Sequence, residues 1–254
     1  AHIMRYLSTR GGMRGLSFED TLIAGLAEDG GLLIPDALPQ VQAQLPQWRK
    51  LSYQELSLAI VRSFIGEAIP EADLRAQIEQ AYRNFTHPDI TPIRTLGRLH
   101  LLELFHGPTL AFKDFAMQLI AQLFEIALKR SGQRITIVGA TSGDTGSAAI
   151  EAFRGIDNVD VFIMFPHGRV SEVQRRQMTT PDAANVHALA LDGHFDDCQA
   201  RLKDLFNDHD FRDGVGLAGI NSINWARVVA QIVYYVTAAA SLGMRDTVFC
   251  VPTG

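Results

Sequence analysis

A chain of 254 residues is long enough to bury a substantial core, as one large domain or two moderate ones. Hydrophobic residues make up 47% of it and charged residues 20%, the balance of an ordinary globular α/β protein. The 23 Lys and Arg against 28 Asp and Glu leave a net charge of -5, and no basic stripe is visible, which argues against a nucleic-acid binder. The densest basic spot, Arg175-Arg176, reads as a solvated helix face. Cys198 and Cys250 belong to no CxxC pair and make no disulfide framework, which fits a reducing cytoplasm. Ala1-His2-Ile3 reads as a cloning remnant, and Met4 to Arg10 has no apolar leader. The longest apolar stretch, Val228 to Gly243, is interrupted by Gln231 and Thr237; it is too short to cross a bilayer and predicts a buried helix, so no membrane is expected as a partner.

Residues 1–90 read as a mainly helical region. Ser17-Phe18-Glu19-Asp20 opens an apolar-periodic run through Ala27, which Gly30-Gly31 ends. Ser52 caps a run with Leu56, Ile60, Val61 and Phe64 on one side. Pro70 occupies an expected first-turn position ahead of Leu74, Ile78 and Tyr82. From Pro92 to Phe105, short apolar runs around Gly97-Arg98 predict a strand pair. Beyond it, Ile135-Val138, Val159-Phe165, Val186-Leu191 and Thr247-Val251 are short β-rich runs separated by helical patterns. Strands alternating with helices at this spacing predict an α/β fold of parallel sheets covered by helices. No linker separates two halves, so a second domain is expected to be woven into the first.

Three segments carry candidate chemistry. In His106-Gly107-Pro108-Thr109-Leu110-Ala111-Phe112-Lys113-Asp114-Phe115, a lysine between aromatics enters a helix from a loop. Partial burial there would disfavour the ammonium and lower its pKa, as a Schiff-base lysine requires. The ordinary fate of such a lysine is a stem packed on an apolar face with its head in water. Next, Gly139-Ala140-Thr141-Ser142-Gly143-Asp144-Thr145-Gly146-Ser147 joins a strand to a helix. Small residues, hydroxyls and a helix N-terminus make an anion cradle, or else simply a tight turn with an N-cap. The loop is neither a Walker loop nor a GxGxxG or G-x-S-x-G motif. The third is Asn221-Ser222-Ile223-Asn224-Trp225-Ala226-Arg227. Its polar side chains could converge on an oxyanion, with Arg227 supplying the fork, or Asn221 or Ser222 could cap a helix and leave Arg227 on the surface. All three lie at junctions where open α/β sheets bind ligands. One reactive lysine with two anion sites fits pyridoxal phosphate and a phosphorylated amino acid.

At these residues the chain resembles the threonine synthase family, of the longer bacterial and fungal kind. Arg5-Tyr6-Leu7-Ser8-Thr9-Arg10 and Gly25-Leu26-Ala27-Glu28-Asp29-Gly30-Gly31-Leu32 are similar to its N-terminal signature. Gly107 to Phe115 is similar to its cofactor-lysine segment, and Thr141 to Gly146 with Asn221 to Arg227 completes the set. The resemblance implies a lyase of the fold type II pyridoxal-phosphate class (tryptophan synthase β-like), cytoplasmic and acting in threonine biosynthesis. Its reaction is the conversion of O-phospho-L-homoserine and water to L-threonine and phosphate. Lys113 would carry pyridoxal 5'-phosphate and shuttle protons, and Asp144 would sit near the cofactor's 3-hydroxyl. Ser142, Gly143 and Thr145 would hold the substrate carboxylate; Asn221, Ser222 and Arg227 would hold its phosphate. Residues 91–254 would form the cofactor-binding region, with a smaller α/β subdomain at roughly 116–245 woven into an incomplete large domain.

The same resemblance places a glycine-rich cofactor-phosphate loop directly after Val251-Pro252-Thr253-Gly254. The 254-residue chain is therefore expected to hold the cofactor weakly, to have negligible activity and to leave an uncovered edge at Thr247-Val251, open to self-association. Two other readings remain: another fold type II phospholyase that eliminates phosphate without adding water, and an inactive, cofactor-free fragment.

Overall fold

The computed structural model describes residues 4–220, 224–243 and 247–252. The N-terminal region mixes strands and helices: β1 (Tyr6–Ser8), β2 (Arg14–Leu16), α1 (Phe18–Ala24), β3 (Leu33–Pro35), α2 (Leu45–Trp48), α3 (Tyr53–Ile65) and α4 (Glu71–Tyr82). Ser17 and Ser52 begin α1 and α3, as expected from the sequence, and each closes a capping box, with Asp20 and Glu55 respectively. Three short strands were missed. They form an antiparallel sheet, β2-β1-β3, whose three-residue members are too short to show an alternating pattern. Pro70 is the N-cap of α4 rather than a first-turn residue; its extended ψ of 140° sets the helix start at Glu71.

A hairpin follows, β4 (Ile93–Leu96) and β5 (Leu99–Leu102), turning at Gly97 with φ of +62°. The remainder runs α5 (Lys113–Ser131), β6 (Ile135–Ala140), α6 (Asp144–Phe153), β7 (Val159–Pro166), α7 (Glu172–Thr179), β8 (Val186–Leu191), α8 (Phe195–Asn207), α9 (His209–Gly214), β9 (Leu217–Ala218) and α10 (Trp225–Leu242). The four strands form a parallel sheet in the order β8-β7-β6-β9. The chain winds from β6 outward through β7 and β8, then returns to the other side of β6 as β9. The order thus reverses between β6 and β9.

One core cluster runs from Tyr6 and Leu22 through Phe64, Tyr82 and Phe115 to Ile137, Val161 and Tyr234. Helices α3 and α4 therefore share a core with α5, α10 and the parallel sheet. A smaller cluster, around Val138, Met164 and Cys198, lies on the other face of the sheet beneath α8. Among the described residues no helix is long and apolar enough to cross a membrane. The fourth β-rich run, expected as a strand at Thr247-Val251, forms none within residues 247–252. Val248 is 94% exposed and Val251 58% exposed, and Phe249 packs at right angles to the Tyr235 ring. A β-prone run becomes a strand only where a neighbour completes its ladder, and no described strand lies beside it.

Candidate active site

Lys113 is the first residue of α5, and the residues after it fix its place. Phe115 is fully buried, ringed by Phe85 at 4.9 Å, Tyr234 at 5.8 Å and Tyr53 at 6.1 Å between centroids. Asp114 is also fully buried and binds the preceding loop: Thr109 donates from its amide at 2.8 Å and from its hydroxyl at 2.6 Å. Burial pushes the Asp114 carboxyl up, against the pull of those donors. Gly107 has no room for a side chain, since a Cβ would lie 2.5 Å from Asp114 Cβ. Leu110 holds a φ of +65°, a strained conformation for a branched residue, at the tip of this tight turn.

The lysine amine thus projects from an anchored turn. Its Nζ lies 5.6 Å from the Phe112 ring centroid and 3.9 Å from Asp144 Oδ2. Desolvation lowers its pKa, Asp144 raises it and Arg227 lowers it, with the net shift downward. Of the two flanking aromatics, Phe112 covers the lysine, while Phe115 turns into the core.

Asp144 opens α6 directly after the loop that leaves β6. The strand runs two residues further than expected and the helix starts earlier, which places Asp144 in the first turn. Gly143 adopts a φ of +145°, and a Cβ there would collide with the side chain of Gln174. Thr141 does not offer its hydroxyl as a ligand acceptor: Oγ1 accepts from the amides of Gly143 and Gly146, both at 2.9 Å. That leaves the amides of Asp144 and Thr145 as first-turn N–H groups without a partner inside the helix. Ser142 is exposed beside them, and Thr145 is half-buried.

Arg227 lies in the first turn of α10, after β9. It is 2% exposed, yet none of the ion pairs among the described residues includes it. Its Nη1 donates to the Ile220 carbonyl at 3.0 Å, and its Nε has no partner among the described residues. Burial lowers its pKa to about 10. The surface alternative for Arg227 is thereby excluded. Asn221 and Ser222 lie outside the described residues. The cap of α10 is Asn224, which accepts from Ala226 at 3.0 Å and donates to the Leu22 carbonyl at 3.0 Å. Asn224 is a structural tie between α1 and α10 rather than an anion ligand.

Strands β6 and β9 are parallel neighbours, so the loops that follow them emerge at the same edge of the sheet. This is the point where strand order reverses, the crevice in which open α/β sheets bind ligands. Lys113, Asp144 and Arg227 are brought together there; separate cavities of about 590 Å³ and 280 Å³ lie elsewhere, the smaller lined by Thr109 and Gln177. Two further residues escaped the sequence reading. Gln174 in α7 donates to Asp144 Oδ1, and Gln177 donates to the Thr109 carbonyl at 3.1 Å. The Ser171-x-x-Gln174 spacing announces a helix start, and Ser171 does cap α7, but nothing local shows which loop that helix overlies.

Residues 86–254 match the family model described as pyridoxal-phosphate dependent enzyme. The chain belongs to that family. Residues 5–82 match a second model, threonine synthase N terminus. The chain is 53% identical over 255 aligned residues to a threonine synthase of Pseudomonas aeruginosa, covering 99% of this chain and 54% of that protein. It is 45% identical over 264 aligned residues to a threonine synthase of Schizosaccharomyces pombe, covering 98% of this chain and 51% of that protein. A crystal structure of pyridoxal-phosphate-bound threonine synthase from Brucella melitensis superposes with a TM-score of 0.91 at 54% identity, over 96% of this chain and 53% of that one. The chain therefore spans about half the length of the relatives it matches. Its fold is that of a fold type II pyridoxal-phosphate enzyme, as the sequence resemblance implied.

Proposed function

We propose that this chain is the N-terminal part of a threonine synthase that carries pyridoxal 5'-phosphate on Lys113. In this reading the whole enzyme, proposed as cytoplasmic, converts O-phospho-L-homoserine and water to L-threonine and phosphate. The observation that carries it is the grouping of a half-buried amine, a carboxylate 3.9 Å away and a buried arginine with no acid partner among the described residues. These residues fit the cofactor: an amine of lowered basicity to bear it, and Asp144 beside that amine to bond it. When bound, pyridoxal phosphate supplies the electron sink that lets phosphate leave from Cγ and water add at Cβ.

The chain's own residues do the remainder. Lys113 moves protons at Cα and the neighbouring carbons, and burial favours the neutral amine needed to accept them. Asp144 opposes that effect, its negative charge favouring the protonated amine. Ser142, Gly143 and Thr145 receive the substrate carboxylate at the N-terminus of α6, where the helix dipole and first-turn amides favour an anion. Arg227, with Asn221 and Ser222 as proposed companions, receives the substrate phosphate; its Nε, without a partner among the described residues, is available for a charge-assisted bond.

The reading is tested by adding pyridoxal phosphate, reducing with borohydride and mapping the modified peptide. The expected adduct is on Lys113, and an adduct on Lys50, Lys129 or Lys203 instead refutes the assignment. A product assay with the longer enzyme and O-phospho-L-homoserine decides the reaction, since formation of 2-oxobutyrate without threonine would make it an eliminating phospholyase.

A further inference from the structure

Helix α7 closes over the loop that carries Asp144. Ser171 caps the helix, and its hydroxyl donates to Gln174 Oε1 at 3.0 Å. With that oxygen engaged, the amide is oriented, and Nε2 donates to Asp144 Oδ1. The other carboxylate oxygen, Oδ2, is the one 3.9 Å from Lys113 Nζ. The Gln174 carboxamide occupies the space that a Cβ on Gly143 would need. The Ser147 hydroxyl ties the two segments further, donating to the Gly143 carbonyl at 2.9 Å and reaching the Gln174 carbonyl at 3.4 Å. Three residues further along the same helix, Gln177 holds the loop of Lys113 through Thr109. The Asp144 side chain is 45% exposed, so without a donor to fix it, rotation into water would be favoured.

We propose that Gln174 is a positioning residue that holds the Asp144 carboxylate against the Lys113 amine, through the relay Ser171, Gln174, Asp144, Lys113. The proposal rests on Lys113 as the reactive amine of the site. Lys113 stands between opposed influences: desolvation and Arg227 disfavour its proton, and Asp144 favours it. The neutral amide of Gln174 decides how much of the Asp144 charge reaches the lysine and adds no charge of its own.

The test is competitive acylation of the amines of the 254-residue chain across a pH series, read lysine by lysine by mass spectrometry. Lys50, Lys129 and Lys203 serve as internal references. Gln174→Ala is expected to lower the Lys113 midpoint by about half a pH unit, which appears as about threefold faster labelling on its acid side. Asp144→Asn should lower it in the same way, and the double variant should add nothing further. If Gln174→Ala leaves the midpoint in place while Asp144→Asn moves it, the positioning role is overturned and the Lys113–Asp144 pair stands. If neither variant moves it, the pair itself fails and the proposal with it. A shift shared by Lys50 and Lys203 would mark general loosening and would overturn the proposal equally.

Discussion

Arg227 sits 2% exposed with one hydrogen bond to a backbone carbonyl and no acid to answer its charge among the described residues. Its pKa is lowered to about 10 by burial, so the charged side chain costs folding free energy. The sign follows from linkage: the unfolded chain holds the proton more tightly than the fold does, so the cost is fully present below about pH 10 and is relieved as pH rises from there. Arg227→Met is therefore expected to raise stability at neutral pH by about 1 kcal/mol, allowing for the Ile220 carbonyl left without its donor, or about 2–4 °C in Tm. The same arginine should make the parent chain respond to inorganic phosphate with a rise in Tm that the variant lacks. Calorimetry with and without phosphate checks both points. A lower Tm for the variant, together with an undiminished phosphate response, would show that Arg227 is a structural cation rather than an anion receptor. The sequence offered Arg227 as either a phosphate ligand or a surface residue. The choice was not legible there, because burial depends on how α10 packs against α3 and α5, far away in the chain.

The strand-loop-helix unit β6-α6 has its own logic. Gly146 is buried where α6 crosses the sheet, and a Cβ there would lie 2.5 Å from Thr141 Cγ2 and 2.7 Å from Ile163 Cγ2. Gly146→Ala must displace Thr141, whose hydroxyl accepts two amides of the same loop. The expected cost is about 1–3 kcal/mol, with loss of the first-turn geometry that presents Asp144 to Lys113. Gly214→Ala is the contrasting change, since nothing lies within 4 Å of the added Cβ and its φ is not positive. There the alanine should stabilise by up to about 1 kcal/mol through a stiffer unfolded chain. Urea titration of the pair measures the difference, and equal effects would contradict the close approach at Gly146. At this scale much was legible: the helix starts at Ser17 and Ser52, the hairpin at Gly97 and the three long strands all follow local pattern. The missed strands β1, β2 and β3 are short and stand by pairing rather than by their own periodicity.

Across the whole molecule, the N-terminal region is not an appendage. Tyr53 of α3 and Phe85 meet Phe115, and Tyr6 donates to the Phe64 carbonyl at 2.9 Å. The family models divide the chain between residues 82 and 86, yet one core runs across that point. A chain that begins at residue 86 would expose Phe115 and the faces of α5 and α10 that α3 and α4 cover. It is expected to lose its cooperative melting transition and to aggregate, whereas the 254-residue chain should unfold in a single step for this part. Differential scanning calorimetry of both, beside sedimentation, checks this. A shortened chain that melts cooperatively as a monomer would show two independent cores.

The resemblance to the threonine synthase family singled out Lys113, Asp144 and Arg227, while the sequence pattern by itself determined the α/β class and the order of the principal elements. Those are local properties, since caps, turns and small-residue loops act within a few positions along the chain. Tertiary structure alone decided that β9 returns beside β6, that Arg227 is buried without an acid among the described residues, and that Asn224 is spent on a helix cap. It also decided that Gln174 and Gln177 of one helix reach two separate loops, joining residues 30 and 68 positions apart. Such relations arise from packing between distant segments, and side-chain direction across a packed interface leaves no periodic trace in the chain.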